Sequence, residues 1–169
     1  VDLTPTQRKK FRGYFSEYCL LAEQWQVYWH YSRQRPEFGY GRKPAKGAYF
    51  VADCSMYLSL TYYWSMTHTG VWIADPLGDG NYNGYGNTGS SYEWSLAHAT
   101  HPPINKYLVG DWVIYGWPHD TVHTSVCRKA GTENTAIWSS NGNERAPQPT
   151  KLHYHPDPVL GVWRHPALA

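Results

Sequence analysis

The chain is 169 residues long, the size of one domain, and its charge is nearly balanced, with Lys+Arg 15 against Asp+Glu 13 and 9 histidines. That balance excludes the basic stripe of a nucleic-acid binder, and no run of about 18 apolar residues exists to insert into a membrane. Trp 9 and Tyr 15 supply apolar bulk in large rings, which excludes disorder, and three widely spaced cysteines form neither a disulfide framework nor a zinc ribbon.

The chain opens on polar Val1-Asp2-Leu3-Thr4 and basic Arg8-Lys9-Lys10, without a signal-peptide pattern. The missing initiator Met is expected of a trimmed or excised piece. Residues 5–35 predict a helix: Phe11, Tyr14, Phe15, Tyr18, Leu21, Ala22, Trp25 and Tyr28 or Trp29 recur in steps of three and four. Arg35-Pro36 is its expected stop. Gly39, Gly41, Pro44 and Gly47 give residues 36–52 loop chemistry, and a second helix is expected from Cys54 to about Gly70. Five glycines among Asn and Tyr predict an irregular insert over 71–91, then a short helix over 92–99 capped by Ser90 or Ser91.

After Gly110 the period changes. Residues 111–115, 122–128, 135–139, 151–154 and 160–164 read as short strands rich in β-branched and aromatic residues, separated by turn residues including Gly142-Asn143. Helices first and a strand meander second predict an α+β domain, with N-terminal helices packed on a C-terminal antiparallel sheet of about five strands. The whole of 1–169 is expected to form one domain, 1–35 being its helical segment and 36–165 its core. The tail from His165 to Ala169 reads either as the true end or as the start of a linker.

Cys54 stands out because it follows a Gly-rich loop at the predicted start of a helix, where free N–H groups favour the thiolate. Cys19, mid-helix, and Cys127, inside a strand, read as core. His123 on a predicted strand is the candidate base, and Asn141 or Ser140 at the end of the next strand is the candidate to orient its ring. Asn141-Gly142 is also an ordinary turn signal. Metal catalysis has the pairs His119/His123 and His153/His155 to draw on but no His-Glu-x-x-His, so no metal and no other cofactor is expected. Asp75, Asp79, Glu93 and Asp111 are the acids available for paired-carboxylate hydrolysis.

Phe38-Gly39-Tyr40-Gly41, Asp53-Cys54-Ser55, Val109-Gly110-Asp111 leading Trp112-Val113-Ile114-Tyr115, His123-Thr124-Ser125-Val126 and Ser139-Ser140-Asn141-Gly142 occur in that order. The set resembles the NlpC-type cell-wall cysteine peptidases over about residues 36–165, and looks most like the peptidase domains of actinobacteriophage endolysins. The resemblance implies a pared-down papain-like α+β fold and hydrolysis of a peptidoglycan stem-peptide amide, with no cofactor. Cys54 would be the nucleophile, His123 the base and then acid, and Asn141 the orienting residue. Tyr40 would help form the oxyanion site, with Ser55 and Ser140 beside the substrate.

Met56-Tyr57 stand where the family usually carries Gly and an aromatic, and the third position is often His in the family. The partner implied is bacterial peptidoglycan, met by a monomer at the cell wall after secretion or phage release. Trp72, Tyr82, Tyr85 and Trp94 read either as core rings, the first expectation for any one of them, or as exposed rings that stack on sugars or flank the groove. Two other activities share the pattern: an N-acetylmuramoyl-L-alanine amidase with the same Cys and His, and a non-catalytic module binding wall glycan.

Overall fold

The computed structural model describes residues 2–34, 39–78, 82–142 and 145–169. The Arg35-Pro36 stop, Phe38, Asp79 and Asn143 lie outside the described residues. Helix α1 (Pro5–Gln24) starts on a capping box, in which Thr4 Oγ1 accepts from Gln7 N (3.2 Å) and Gln7 Oε1 accepts from Thr4 N (2.9 Å). It buries Phe11, Phe15, Tyr18, Cys19 and Ala22, the predicted stripe.

The helix ends at Gln24, well short of residue 35, and a 3₁₀ turn over Gln26–Tyr28 leads into strand β1 (Trp29–Tyr31). Trp29 fits the helical phase of α1, but its ring stacks on Phe50 at 4.3 Å and 5°. Parallel pairing of β1 with β2 (Phe50–Ala52) therefore overrides the local period.

Helix α2 (Cys54–Thr69) is capped by the Asp53 side chain, which accepts from Met56 N at 2.8 Å, and stops at left-handed Gly70. Most of its surface is buried, so it is the central helix and not an amphipathic one. Its hydroxyls are satisfied internally: Thr61, Ser65 and Thr69 each donate to the carbonyl four residues earlier. Phe11 and Phe15 of α1 meet Tyr62 edge-on, and Tyr18 packs on Tyr57 and Trp64.

Helix α3 (Thr88–His98) begins earlier than the expected 92, because Asn87 caps it and Ser90 closes the box. Gly86 lies just before it at φ 95°, where a Cβ would stand 2.9 Å from Leu77 Cβ.

The remaining strands are β3 (Trp112–Trp117), β4 (Asp120–Lys129), β5 (Ile137–Gly142), β6 (Arg145–Thr150) and β7 (Val159–Trp163). They form one antiparallel sheet in the order β6-β5-β4-β3-β7. The α+β architecture with about five antiparallel strands is as expected. One strand was misplaced: residues 151–154 are a turn, and the strand precedes them over Arg145–Thr150. Pro147 and Pro149 hid it, and β6 tolerates them because it is an edge strand, with half its amides turned away from the ladder.

The sheet is buried on both faces. Trp112, Ile114, Val126 and Trp163 face the helices, while Val113, Tyr115, Cys127 and Trp138 form a second core with Leu152 and Tyr107. Asp111 of the Gly-Asp motif is structural, since Arg164 grips it with two bonds of 2.7 and 2.8 Å and ties β3 to the end of β7. Asp75, another candidate acid, is buried and accepts from Leu77 N and Ser59 Oγ. No helix among the described residues is long and apolar enough to cross a membrane.

Candidate active site

Strand β2 delivers the chain to α2 so that Cys54 is the first residue of the helix, at the floor of a cleft of about 540 Å³. Tyr31, Arg33, Asn87, Thr88, Asp120 and Val122 are among its walls. The sulfur stands 3.7 Å from Thr88 Oγ1. Burial raises the thiol pKa, and the neighbouring Asp53 carboxylate adds to the effect. The backbone N–H groups of Thr124 and Ser55 and the Thr88 hydroxyl pull the other way, toward thiolate. The helix start thus acts as expected, but burial outweighs it and Cys54 is a neutral thiol at neutral pH.

His123 is the fourth residue of β4, just past a bulge in the β3–β4 pairing. Its ring lies on the sheet face away from α2, beside Tyr115 (5.9 Å, 21°) and His155 (5.2 Å, 13°), which also stack on each other at 4.9 Å. Burial, with a smaller effect from His155, lowers its pKa to about 3, so this imidazole is neutral too. Its Nε2 lies 2.7 Å from Ser140 Oγ, a contact in which either atom can donate.

The structure brings the sulfur to the Thr124 N–H, the residue next to His123 in the chain. No hydrogen bond joins sulfur and ring among the described residues. Catalytic contacts commonly tighten only when substrate is bound.

Of the two candidates to orient the ring, Ser140 and not Asn141 lies against His123. Alternation along β5 sends Ser139 and Asn141 toward α2, where Ser139 Oγ meets Tyr57 Oη at 2.8 Å. Ser140 therefore faces His123. Asn141 instead donates through Nδ2 to the carbonyls of Ala52 (3.0 Å) and Asp53 (3.2 Å), clamping the β2–α2 junction that carries Cys54. Its buried Oδ1 accepts no hydrogen bond.

Tyr40 is likewise elsewhere: its hydroxyl lies 2.8 Å from Ser59 Oγ and its ring packs on Tyr63 and Tyr82, along the flank of α2. The tyrosine in the cleft is Tyr31. Burial, with the Asp53 carboxylate adding to it, pushes its phenol up to about 12, so it stays a neutral donor. Ser55 is buried and donates to Asp53 Oδ1 at 3.0 Å.

Tyr31, Arg33 and Thr88 were missed in the sequence. The alternation in Trp29-His30-Tyr31 signals the strand that carries Tyr31, and Asn87-x-x-Ser90 signals the helix start that carries Thr88. The Gly/Tyr-rich insert does reach the cleft, through Gly86, Asn87, Thr88 and Gly89. A second cavity of about 520 Å³ shares Gly89 and Thr121 with it, extending the groove between α3 and the β3–β4 hairpin past Tyr92, Glu93 and Leu96.

Trp72 and Trp94 line a separate cavity of about 420 Å³ with His98 and His165. Tyr85 is exposed, whereas Tyr82 is buried. Cys19 and Cys127 are buried free thiols, and burial pushes Cys19 up to about 12. Among the described residues no group of three or more His, Cys, Asp or Glu is placed to hold a metal ion. Comparison with protein-family models, with curated proteins and with solved structures finds no match for this chain.

Proposed function

We propose that the protein is a peptidoglycan hydrolase of the NlpC type, with a papain-like fold, cutting an amide of the cell-wall stem peptide through a cysteine thioester. One observation carries this reading: the Cys54 thiol opens a central helix at the floor of a cleft, against the strand residue next to a neutral, serine-held His123.

In this mechanism the scissile carbonyl enters over Cys54 and, because sulfur and ring are not in direct contact, one water near the bulge at the start of β4 carries the thiol proton to His123 Nδ1 as sulfur attacks. The developing oxyanion meets donors from the Tyr31 and Thr88 hydroxyls and the Cys54 N–H, one of the first amides of α2 and so without a partner inside the helix. The imidazolium then protonates the leaving amine as the C–N bond breaks. Water, deprotonated by His123, cleaves the thioester and restores the thiol. No cofactor takes part.

The groove suits a branched peptide bearing both signs of charge, with Arg33 on one wall and Asp120 and Glu93 farther along. The setting is an endolysin-like one, a monomer acting on the bacterial wall. Purified actinobacterial wall treated with the protein is expected to lose turbidity, and mass analysis is expected to find new peptide termini within the stem. Fragments cut between muramic acid and L-alanine would identify an amidase instead. Intact wall would refute hydrolysis.

A further inference from the structure

The pocket behind His123 holds more than one orienting hydroxyl. Nε2 lies 2.7 Å from Ser140 Oγ, and Ser140 Oγ lies 2.7 Å from Tyr154 Oη. On the same face Tyr115 donates its proton to the Leu152 carbonyl at 2.6 Å. Ser125 Oγ is 3.5 Å from Nε2.

A carbonyl only accepts, so the Tyr115 proton is committed and its oxygen is left to accept. Two directions satisfy the Ser140 contacts. Tyr154 is exposed enough for its proton to go to water, which leaves its oxygen to accept from Ser140, and Ser140 Oγ then accepts from Nε2–H. The reverse direction, with Ser140 donating to Nε2, would put the ring proton on Nδ1 and disable the base.

We propose that Tyr154 is a positioning residue which, by accepting the Ser140 proton, holds His123 in the tautomer protonated on Nε2 and bare on Nδ1. Its consequence for rate rests on the proposed hydrolase reading, but the tautomer is a property of the free protein. Phenylalanine at position 154 keeps the ring contacts with Tyr115 and His155 and removes only the acceptor.

The test is a long-range proton–nitrogen correlation spectrum of protein labelled with ¹⁵N-histidine at pH 7, with the His123 signals assigned by comparison with His123→Gln. The expected result is the Nε2–H pattern in the parent and a shift of most of the population to Nδ1–H in Tyr154→Phe. Wall clearing by that variant should lose about tenfold in kcat with KM unchanged, since only the base is affected. An Nδ1–H parent, or a variant that keeps Nε2–H, overturns the proposal.

Should Tyr154→Phe fail to fold, Ser140→Ala reads the same relay: a lost Nε2–H preference supports it and a retained one overturns it. A parent that switches tautomer as stated but clears no wall would sink the hydrolase reading and leave the positioning role standing.

Discussion

Substitution of Asn141 separates a clamp from a catalytic role. Asn141 holds two backbone carbonyls, those of Ala52 and Asp53, at 3.0 and 3.2 Å, and both residues are buried. Each lost bond is worth about 1 kcal/mol net, and neither carbonyl is left alone, since Ser32 N–H donates to that of Ala52 at 3.4 Å and Tyr57 N–H to that of Asp53 at 3.0 Å. Removing the orphaned Oδ1 returns roughly 1–2 kcal/mol, because that atom already lies buried without a partner.

The net expectation for Asn141→Ala is a loss of about 1 kcal/mol or less, or at most roughly 2–4 °C in Tm for a chain of this size. Urea titration followed by Trp fluorescence measures it. Asn141→Asp should be at least as damaging, since a carboxylate has no donor to offer either carbonyl. An Asn141→Asp variant within about 0.5 kcal/mol of the parent, yet dead toward wall, would refute the clamp and return Asn141 to the place of orienting residue.

Cys54→Ala is expected to abolish wall clearing while leaving the urea midpoint in place, and retained clearing would end the thioester mechanism. Tyr31→Phe should lower kcat by about tenfold as one oxyanion donor is lost, whereas Tyr40→Phe should leave kcat within about twofold. The opposite ranking would put the oxyanion site on the α2 flank. Burial lowers the folded pKa of His123 to about 3 and of His165 to about 4, below the ordinary 6.5. Between those limits the unfolded chain binds more protons, so stability is full above about pH 6.5 and falls as the pH drops toward 3. A urea midpoint that is flat from pH 7 to pH 4 would show that neither histidine is buried as a neutral ring.

The parts of the site set by local chemistry were readable in the sequence. Asp53 is a cap residue after a glycine loop, and Gly70 is a left-handed stop, so the helix carrying Cys54 follows from short-range rules. What failed depended on distant partners. Trp29 continues the period of α1 as well as it starts a strand, and only Phe50, far along the chain, decides between them. That error concealed Tyr31 and made Tyr40 the obvious tyrosine. Ser140 and Asn141 differ by one position, which on a strand means opposite faces, and the face is fixed by the register of Val126 against Ser139. Nothing local encodes that register.

The two neutral groups constrain how the proposed reaction can start. A thiol raised by burial and an imidazole lowered by burial cannot rest as an ion pair, because each ionised form would be desolvated without compensation. Thiolate must form as it attacks, when the charge passes to the carbonyl oxygen and the donors of Tyr31 and Thr88 are there to receive it. Imidazolium must form at the same moment, which makes the bond from Nε2 to Ser140 strongest in the transition state. On the proposed mechanism, burial would leave Cys54 weakly reactive toward small electrophiles and reserve its nucleophilicity for a carbonyl bound between α3 and the β3–β4 hairpin.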